Sequence, residues 1–489
     1  MNNAPQPSTK RRFLRLLGFS LGGLSLLIAF FYAEEDLRGW LAWQNCRHAL
    51  EAKGEVLDWN DYIPAPVPDD QNFFKAPKMT EWFVRQKQVE HHPDVLDSRD
   101  NPDNDLTDRL RNPDATATNL NEAFATKYLA WSDQFEPDFD LIREALKRPY
   151  ARMDGDYSLP FEMPVANFVA VRMVAQTLAQ RAKCDLLHGQ PGKALQEITL
   201  LREFRHLLEA APTGKPMPLI AAMIDVAVTG LYVDTMAGGL QSRAWAEPQL
   251  VALQKQLADI NLTPFILGAF CEEMASHARL NEVLAEGNLL SRQQVFGGSG
   301  RTWKDLNNPL FWLLNVAPRG WLYQNMVNVA ILGQKPLAGF DYVNDTVLPR
   351  KFDEASRAVH EFDKSARPFS PYKILAAIAI PNFSKAEQNT AHIQTMVNEG
   401  QIVCALERYR LAHGEYPATL EALMPQYMDK LPHDLIGGEP LQYRRASGGN
   451  FLLYSVGWNE TDDEGQMAPM KEGHMDLENG DWVWQYPPI

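Results

Sequence analysis

The sequence predicts a mainly α-helical protein with one membrane-crossing helix at its N-terminus and a small α+β module at its C-terminus. Three observations predict this fold class. An uncharged run from Leu16 to Tyr32 follows basic residues, helical periodicities fill the middle of the chain, and residues 441–455 alternate as strands do. At 489 residues, the chain is expected to form two or three domains rather than one core.

The N-terminal tail at residues 1–12 is followed by a predicted transmembrane anchor at residues 13–33. The anchor forms a helix on the order of 26–30 Å long, which is enough to cross the hydrocarbon core. Basic residues precede it, and Glu34-Glu35-Asp36 follows it. This asymmetry predicts a single pass through a bacterial inner membrane, with the N-terminus in the cytoplasm and the bulk of the chain in the periplasm.

A cleaved signal peptide is the alternative to an uncleaved anchor. Its apolar core would be unusually long, and residues 29–33 contain no clear A-x-A cleavage site. Residues 9–15 also match a twin-arginine export signal in part. Gly18-Phe19 matches a prepilin cleavage site, but Gly23 stands where that family has Glu. We interpret both as chance matches, because basic-then-apolar segments produce them freely.

Residues 34–118 are predicted to form a helix extension, a linker and loops. Trp40 and Trp43 follow the anchor closely and are typical of a membrane-interface belt. Residues 119–370 are predicted to form an α-helical domain that offers a binding surface to a protein partner in the cell envelope.

One helical hairpin in this domain is specifically predicted. Residues 167–188 and 191–208 have amphipathic periodicity and meet at Gly189, with Pro191 at a first helical position. The pair is similar to one repeat of the tetratricopeptide type. No second copy follows at a fixed period, so a repeat array is not predicted.

The C-terminal module is predicted at residues 371–489. Residues 384–411 place apolar side chains at three- and four-residue steps, which predicts one long helix. A short helix is predicted from Leu420 to Tyr427. Two strands follow, joined by a Ser-Gly-Gly-Asn hairpin loop at residues 447–450. A last strand is predicted from period-two alternation of three aromatic residues, Trp482, Trp484 and Tyr486.

The order and the residues of this module resemble the C-terminal part of the major pseudopilin of type II secretion, which is a type IV pilin-like protein. The matching motifs are Ala405-Leu406-Glu407-Arg408-Tyr409-Arg410-Leu411, His413-Gly414-Glu415-Tyr416-Pro417, Leu431-Pro432-His433-Asp434, Pro440-Leu441-Gln442-Tyr443 and Tyr454-Ser455-Val456-Gly457. The resemblance implies a long helix packed on a small antiparallel sheet and a link to a secretion or pilus apparatus.

Residues 375–383 resemble the lower half of the N-terminal helix of a type IV pilin. The apolar part of this segment is too short to span a bilayer, which takes about 20 residues. Hundreds of residues precede it, where a pilin has only a short leader. We therefore expect the module to have kept the pilin-like fold without the filament assembly.

The same resemblance implies a calcium ion in the acidic loop that follows the Tyr-Ser-Val-Gly motif. The candidate ligands are Asp462, Asp463 and Asp476 or Asp481, whose oxygens suit a hard cation. Asn459 stands where the family has an Asp just after the motif. A solvated acidic loop without a metal is the alternative.

The net charge of −15 argues against nucleic acid as a partner, because phosphate binding requires a basic surface. The cysteines are few and scattered, without a C-x-x-C motif: Cys46, Cys184, Cys271 and Cys404. We expect buried free thiols, with one long-range disulfide as the alternative.

The function predicted from these patterns is that of a non-enzymatic, membrane-anchored envelope protein. The alternative is a membrane-anchored enzyme with an active site of dispersed residues in the helical domain. Glu272 and Glu273 with His277 form the best polar cluster on a predicted helix, and His91-His92 lies in a predicted loop. No companion motif completes a catalytic set around either group, so no catalytic residue is assigned.

Overall fold

The computed structural model describes residues 9–85, 122–158, 160, 163–209, 218–286, 317–341, 343–366, 370–380, 384–446, 448–470 and 475–484. These residues form two compact units, each assembled from three separate segments. Unit 1 consists of Met1–Trp59, Met274–Gly333 and Ala358–Pro381. Unit 2 consists of Asn60–Glu273, Gln334–Arg357 and Asn382–Ile489.

The fold is mainly helical with small antiparallel sheets. In chain order the described α-helices are α1 Thr9–Glu51, α2 Met79–Phe83, α3 Glu122–Ser132, α4 Glu136–Ala145, α5 Phe168–Leu187, α6 Pro191–Phe204, α7 Leu219–Gln241, α8 Glu247–Ala258, α9 Thr263–Glu286, α10 Arg319–Leu337, α11 Pro349–Ala366, α12 Ile374–Ala379 and α13 Ser384–His413. The strands are β1 Phe340–Asp341, β2 Thr346–Val347, β3 Gln442–Ala446, β4 Asn450–Ser455 and β5 Trp482–Trp484.

Among the residues that the structure describes, two helices are long and apolar enough to cross a membrane, α1 and α7. The apolar window of α7 is 61% buried inside the protein, as in a core helix, whereas that of α1 is 0% buried. The predicted apolar N-terminal helix is therefore present, and by length and composition it fits a membrane span or a signal sequence.

Unit 1 is organised around the C-terminal half of α1. Trp43 and Leu50 of α1 pack against Ala278 of α9 and against Met326 and Ala330 of α10. Only 2% of the Trp43 surface is exposed. The prediction that Trp43 belongs to an interface belt is therefore wrong, because segments far away in sequence bury it in a core.

Unit 2 contains the predicted helical hairpin. Helices α5 and α6 pack against each other, with Gly189 between them at a φ of +65°. This left-handed backbone conformation explains why a glycine lies at the joint. Pro191 is the first residue of α6, where its missing N–H costs nothing.

The predicted long helix is confirmed as α13, and it contacts both the helices α7 and α8 and the strands β4 and β5. Gly400, which interrupts the periodicity, lies between these layers. A Cβ at this position would be 3.0 Å from Met236, 3.3 Å from Leu257 and 3.5 Å from Trp484. Elements assigned by sequence to the helical domain and to the C-terminal module therefore share one hydrophobic core.

The predicted hairpin is also confirmed. Strands β3, β4 and β5 form one antiparallel sheet in that order, and Tyr443 pairs with Leu453. Trp482 and Trp484 are buried on β5 as predicted, whereas Tyr486 lies outside the described residues.

One local prediction differs from the structure. The segment predicted as a helix from Leu420 to Tyr427 has only a short 3-10 helix at Leu420–Leu423, because Pro425 lacks the N–H that a longer helix requires. In the apolar segment that resembles a pilin helix, α12 covers Ile374–Ala379. Ile380 precedes Pro381 and has a non-helical ψ of 87°.

Candidate functional site

The structure brings three of the four predicted calcium ligands together. Asp481 is buried, and its carboxylate accepts hydrogen bonds from the backbone N–H groups of Asp463 (3.2 Å) and Gly465 (2.6 Å). Burial raises the pKa of Asp481, and the nearby charges of Asp463 and Asp462 raise it further. Asp462 accepts hydrogen bonds from the Tyr454 hydroxyl and from a backbone N–H. These carboxylates therefore organise the loop from within.

Asp476, the fourth candidate, accepts hydrogen bonds from the Glu478 backbone and the Asn479 side chain in its own turn. Among the residues that the structure describes, no group of three or more His, Cys, Asp or Glu side chains is placed to hold a metal ion. Residues 471–474 of the same loop lie outside the described part of the chain. Calcium binding stays a prediction.

A polar site in unit 2 surrounds Asp434, whose carboxylate accepts three hydrogen bonds. Its Oδ1 accepts hydrogen bonds from the Ser455 hydroxyl (2.7 Å) and the Ile436 N–H (2.9 Å), and its Oδ2 accepts one from the Val456 N–H (3.1 Å). Asp434 and Ser455 are both buried. Two of the motifs that carry the pseudopilin resemblance are therefore joined here by one carboxylate, which fixes β4 to the segment before it.

Two of the buried carboxyl groups on helix α13, Glu387 and Glu399, lack a full set of hydrogen-bond partners. In each, Oε1 is buried without a hydrogen-bond partner. Burial raises the pKa of Glu387 to about 8, and it raises that of Glu399 well above its usual range with the help of the Asp434 charge. Both groups are expected to be largely protonated at neutral pH, because a neutral carboxyl costs far less to bury than a charged one.

We expect the Glu387→Gln variant to remove a pH dependence of stability. Glu387 has a folded-state pKa of about 8 and an ordinary value of 4.5, so unfolding releases a proton between these values. The stabilisation it gives is complete below pH 4.5 and declines as the pH rises to 8. The variant is therefore expected to melt like the wild type at pH 4.5 and at a higher temperature at pH 8.

Thermal melts at both pH values test this expectation. The exposed Glu415 provides a matched control, since its neutralisation to Gln removes a charge without changing a buried group. Equal effects of the two substitutions at both pH values would contradict the assignment.

In the predicted cluster of Glu272, Glu273 and His277, only the Glu272 side chain is buried. Glu272 is buried, Oε2 has no hydrogen-bond partner, and burial together with the Glu273 charge raises the pKa of Glu272 to about 8. His91-His92 lies outside the described residues.

Two charged pairs in unit 2 were missed by sequence reasoning. Arg205 makes a two-pronged contact with Asp225, at 2.7 and 3.0 Å, and both side chains are buried. Arg181 bonds to Glu197 (2.9 Å) and also to Glu136 (3.0 Å). A charged residue at an otherwise apolar helical position, as Asp225 is in α7, was the available signal.

Two concave surfaces are found in unit 2. A shallow hollow of about 500 Å³ beside the Arg181 contacts is lined by Glu136, Arg143 and Glu203, among others. A groove of about 230 Å³ lies between α7 and α13 and is lined by apolar and small side chains, among them Met223 and Ile393.

The four cysteines are free thiols in the structure, and Cys184 and Cys404 are buried. Burial raises the pKa of the Cys404 thiol, which makes it a poor nucleophile.

No family model matches the chain, and no match is found among curated proteins or solved structures.

Proposed function

We propose that this protein is a single-pass protein of a bacterial inner membrane whose periplasmic part binds another envelope protein. The apolar helix α1, basic before the span and acidic after it, supports this topology. The resemblance of the C-terminal motifs to a type II secretion pseudopilin supports a partner in a secretion or pilus apparatus.

The observation that carries a binding role, rather than filament assembly, is the enclosure of α13. A pilin leaves its long helix available to neighbouring subunits. Here Arg408 of α13 bonds to Glu247 (2.8 Å) and Gln254 (2.8 Å) of α8, and Gln394 of α13 receives the Leu262 N–H at 2.8 Å. With Val403 in the shared core, the helix is occupied by its own chain.

The groove between α7 and α13 supports binding over catalysis. Its walls are mainly apolar, and Met223, which is 39% exposed, provides an anchor for a protein partner. Ile220, three residues before Met223 on α7, is 45% exposed and extends the apolar surface beyond the groove. Exposed apolar side chains grouped in a concave surface are typical of interaction sites.

We expect a photo-crosslinking amino acid at Met223 to give a discrete protein adduct in envelopes of the native host. The matched control is Val343, which is 92% exposed and lies away from the groove residues in sequence. Adducts at both positions, or at neither, would contradict a specific binding site in the groove. Identification of the Met223 adduct by mass spectrometry then tests the link to a secretion apparatus.

The second candidate function is that of an enzyme, and the observation that favours it is the buried carboxyl group of Glu272. Its raised pKa of about 8 keeps a buried carboxyl protonated at neutral pH, as a general acid requires. The groove lined by Met223 does not include Glu272, so the binding role and this group are separate.

Calcium binding by the acidic loop is part of the proposal and has its own test. We expect Ca²⁺ to raise the melting temperature and Mg²⁺ to do so less, since many oxygen ligands in irregular geometry suit the larger ion. A Ca²⁺ concentration of 100 times the dissociation constant would add about 2.7 kcal/mol to the free energy of unfolding. Asp463→Asn should abolish the shift, whereas absence of any shift at millimolar Ca²⁺ would exclude the site.

A further inference from the structure

A cluster of aromatic and charged side chains in unit 1 surrounds Glu35, just after the predicted span. The Trp321 indole N–H donates to Glu35 Oε2 at 3.1 Å, and the Tyr372 hydroxyl donates to Oε1 at 3.1 Å. Arg38 bonds to the same carboxylate at 2.5 Å and lies over the Tyr372 ring at 5.6 Å. Both aromatic rings are half-buried, and they contact each other at 5.7 Å between centroids.

The position of this cluster along α1 is defined by a second contact. The Trp321 ring lies 6.5 Å from the ring of Phe31, at an interplanar angle of 80°. Phe31 is the next-to-last residue of the uncharged run and is 45% exposed. Trp321 therefore lies at the level where the apolar surface of α1 ends and its charged surface begins.

The backbone holds Trp321 at this level. Gly39 of α1 and Gly320 of α10 touch directly, since a Cβ on Gly320 would lie 1.9 Å from the Glu35 carbonyl oxygen and one on Gly39 would lie 2.3 Å from the Gly320 oxygen. The Gly320 N–H also donates to Asp36 at 2.9 Å. Close approach of this kind requires glycine on both helices.

Tyr372 is held just as firmly. The Asn328 side chain donates to the Tyr372 carbonyl at 2.8 Å, and the Asn325 side chain donates to the Pro371 carbonyl at 2.8 Å. Asn325 also accepts the Leu375 N–H at the start of α12. Helix α10 therefore positions both aromatic residues against α1.

Each aromatic side chain has its polar atom on Glu35. The Trp321 ring lies against Phe31 near the end of the apolar run, and the Tyr372 ring packs on the Trp321 ring. Indole and phenol groups with one wet and one apolar end are enriched where a membrane meets water. We propose that Trp321 and Tyr372 form an aromatic collar that contacts the headgroup region of the bilayer where α1 leaves it. This inference rests on the proposed anchoring of α1, and it assigns to the collar the interface role that the buried Trp43 does not fill.

Brominated lipids test the collar, because bromine quenches only tryptophans that it contacts. The full chain is reconstituted in phosphatidylcholine vesicles brominated either near the headgroup or near the chain terminus. We expect the fluorescence difference between wild type and Trp321→Phe to be lost with shallow bromines and retained with deep ones. In Trp321→Phe with Tyr372→Trp, the new indole should be quenched by shallow bromines as well.

Trp458, which is buried in unit 2, provides the matched control through Trp458→Phe, whose difference signal should not respond to either lipid. Quenching of Trp321 by shallow bromines, without quenching of Trp458, supports the collar. If an alkaline wash leaves the protein in the vesicles but Trp321 is quenched by aqueous iodide and not by bromine, the collar is wrong and the anchor stands. Release of the protein by the wash would refute both.

Discussion

The Arg205→Met variant is expected to lose about 3–5 kcal/mol of unfolding free energy, the typical cost of breaking a buried ion pair from one side. Arg205 and Asp225 are 3% and 0% exposed. Two guanidinium contacts of Arg205 go to the Asp225 carboxylate, and a third goes to Glu209. Without Arg205, Asp225 stays buried without its two-pronged partner, and burial already raises the pKa of this carboxyl. Chemical denaturation followed by circular dichroism measures the loss.

Two further variants sharpen this test. Lys147→Met removes an exposed partner of Glu144 and should change stability by no more than about 1 kcal/mol. Arg205→Met combined with Asp225→Leu should recover most of the loss, because an apolar pair of similar volume needs no compensating charge. A single Arg205→Met effect as small as that of Lys147→Met would show that the pair is not buried in solution.

The second large effect is expected from Asp434→Ala, which should cost about 3 kcal/mol. The substitution removes three hydrogen bonds to one carboxylate and leaves the N–H groups of the buried Ile436 and the half-buried Val456 without acceptors. Ser455→Ala removes only one of these bonds and should cost about 1 kcal/mol. Faster hydrogen exchange at the Val456 amide in Asp434→Ala would locate the loss at β4.

Asp341 offers a control of the same kind for Asp434. Its carboxylate accepts hydrogen bonds from the Val343 and Asn344 backbone and from the Asn344 side chain, but these contacts are exposed. Water replaces lost partners at an exposed turn, so Asp341→Ala should have the smaller effect. Equal losses would mean that the buried setting of Asp434 does not matter.

Local patterns predicted the elements of this fold well where one face of an element is buried. The periodicity of residues 384–411 corresponds to α13 at Ser384–His413, and the Ser-Gly-Gly-Asn loop joins β3 to β4. These features depend on neighbouring residues, which the sequence displays directly.

Contacts between distant segments could not be predicted in the same way. Trp43 is an aromatic residue that closely follows the apolar run, as interface residues do. Only its packing against Met326 makes it a core residue. Asp434 stands in a motif that the sequence singled out, but its role depends on Ser455, which lies 21 residues further along. Trp321 is separated from Glu35 by 286 residues, so no local pattern connects them.

The division of each unit into three chain segments has a consequence for synthesis. Unit 1 needs residues as late as Pro381, and unit 2 begins at Asn60 but also needs the segment from Asn382 onward. As the ribosome delivers the chain from its N-terminus, neither unit can complete its contacts before residues of the other have emerged. Closing such long loops is slow, so partly folded chains expose apolar surface for longer. Truncation at residue 370 would remove α12 from unit 1 and α13 from unit 2 at once, and chaperone dependence during folding is the expected cost of this interleaving.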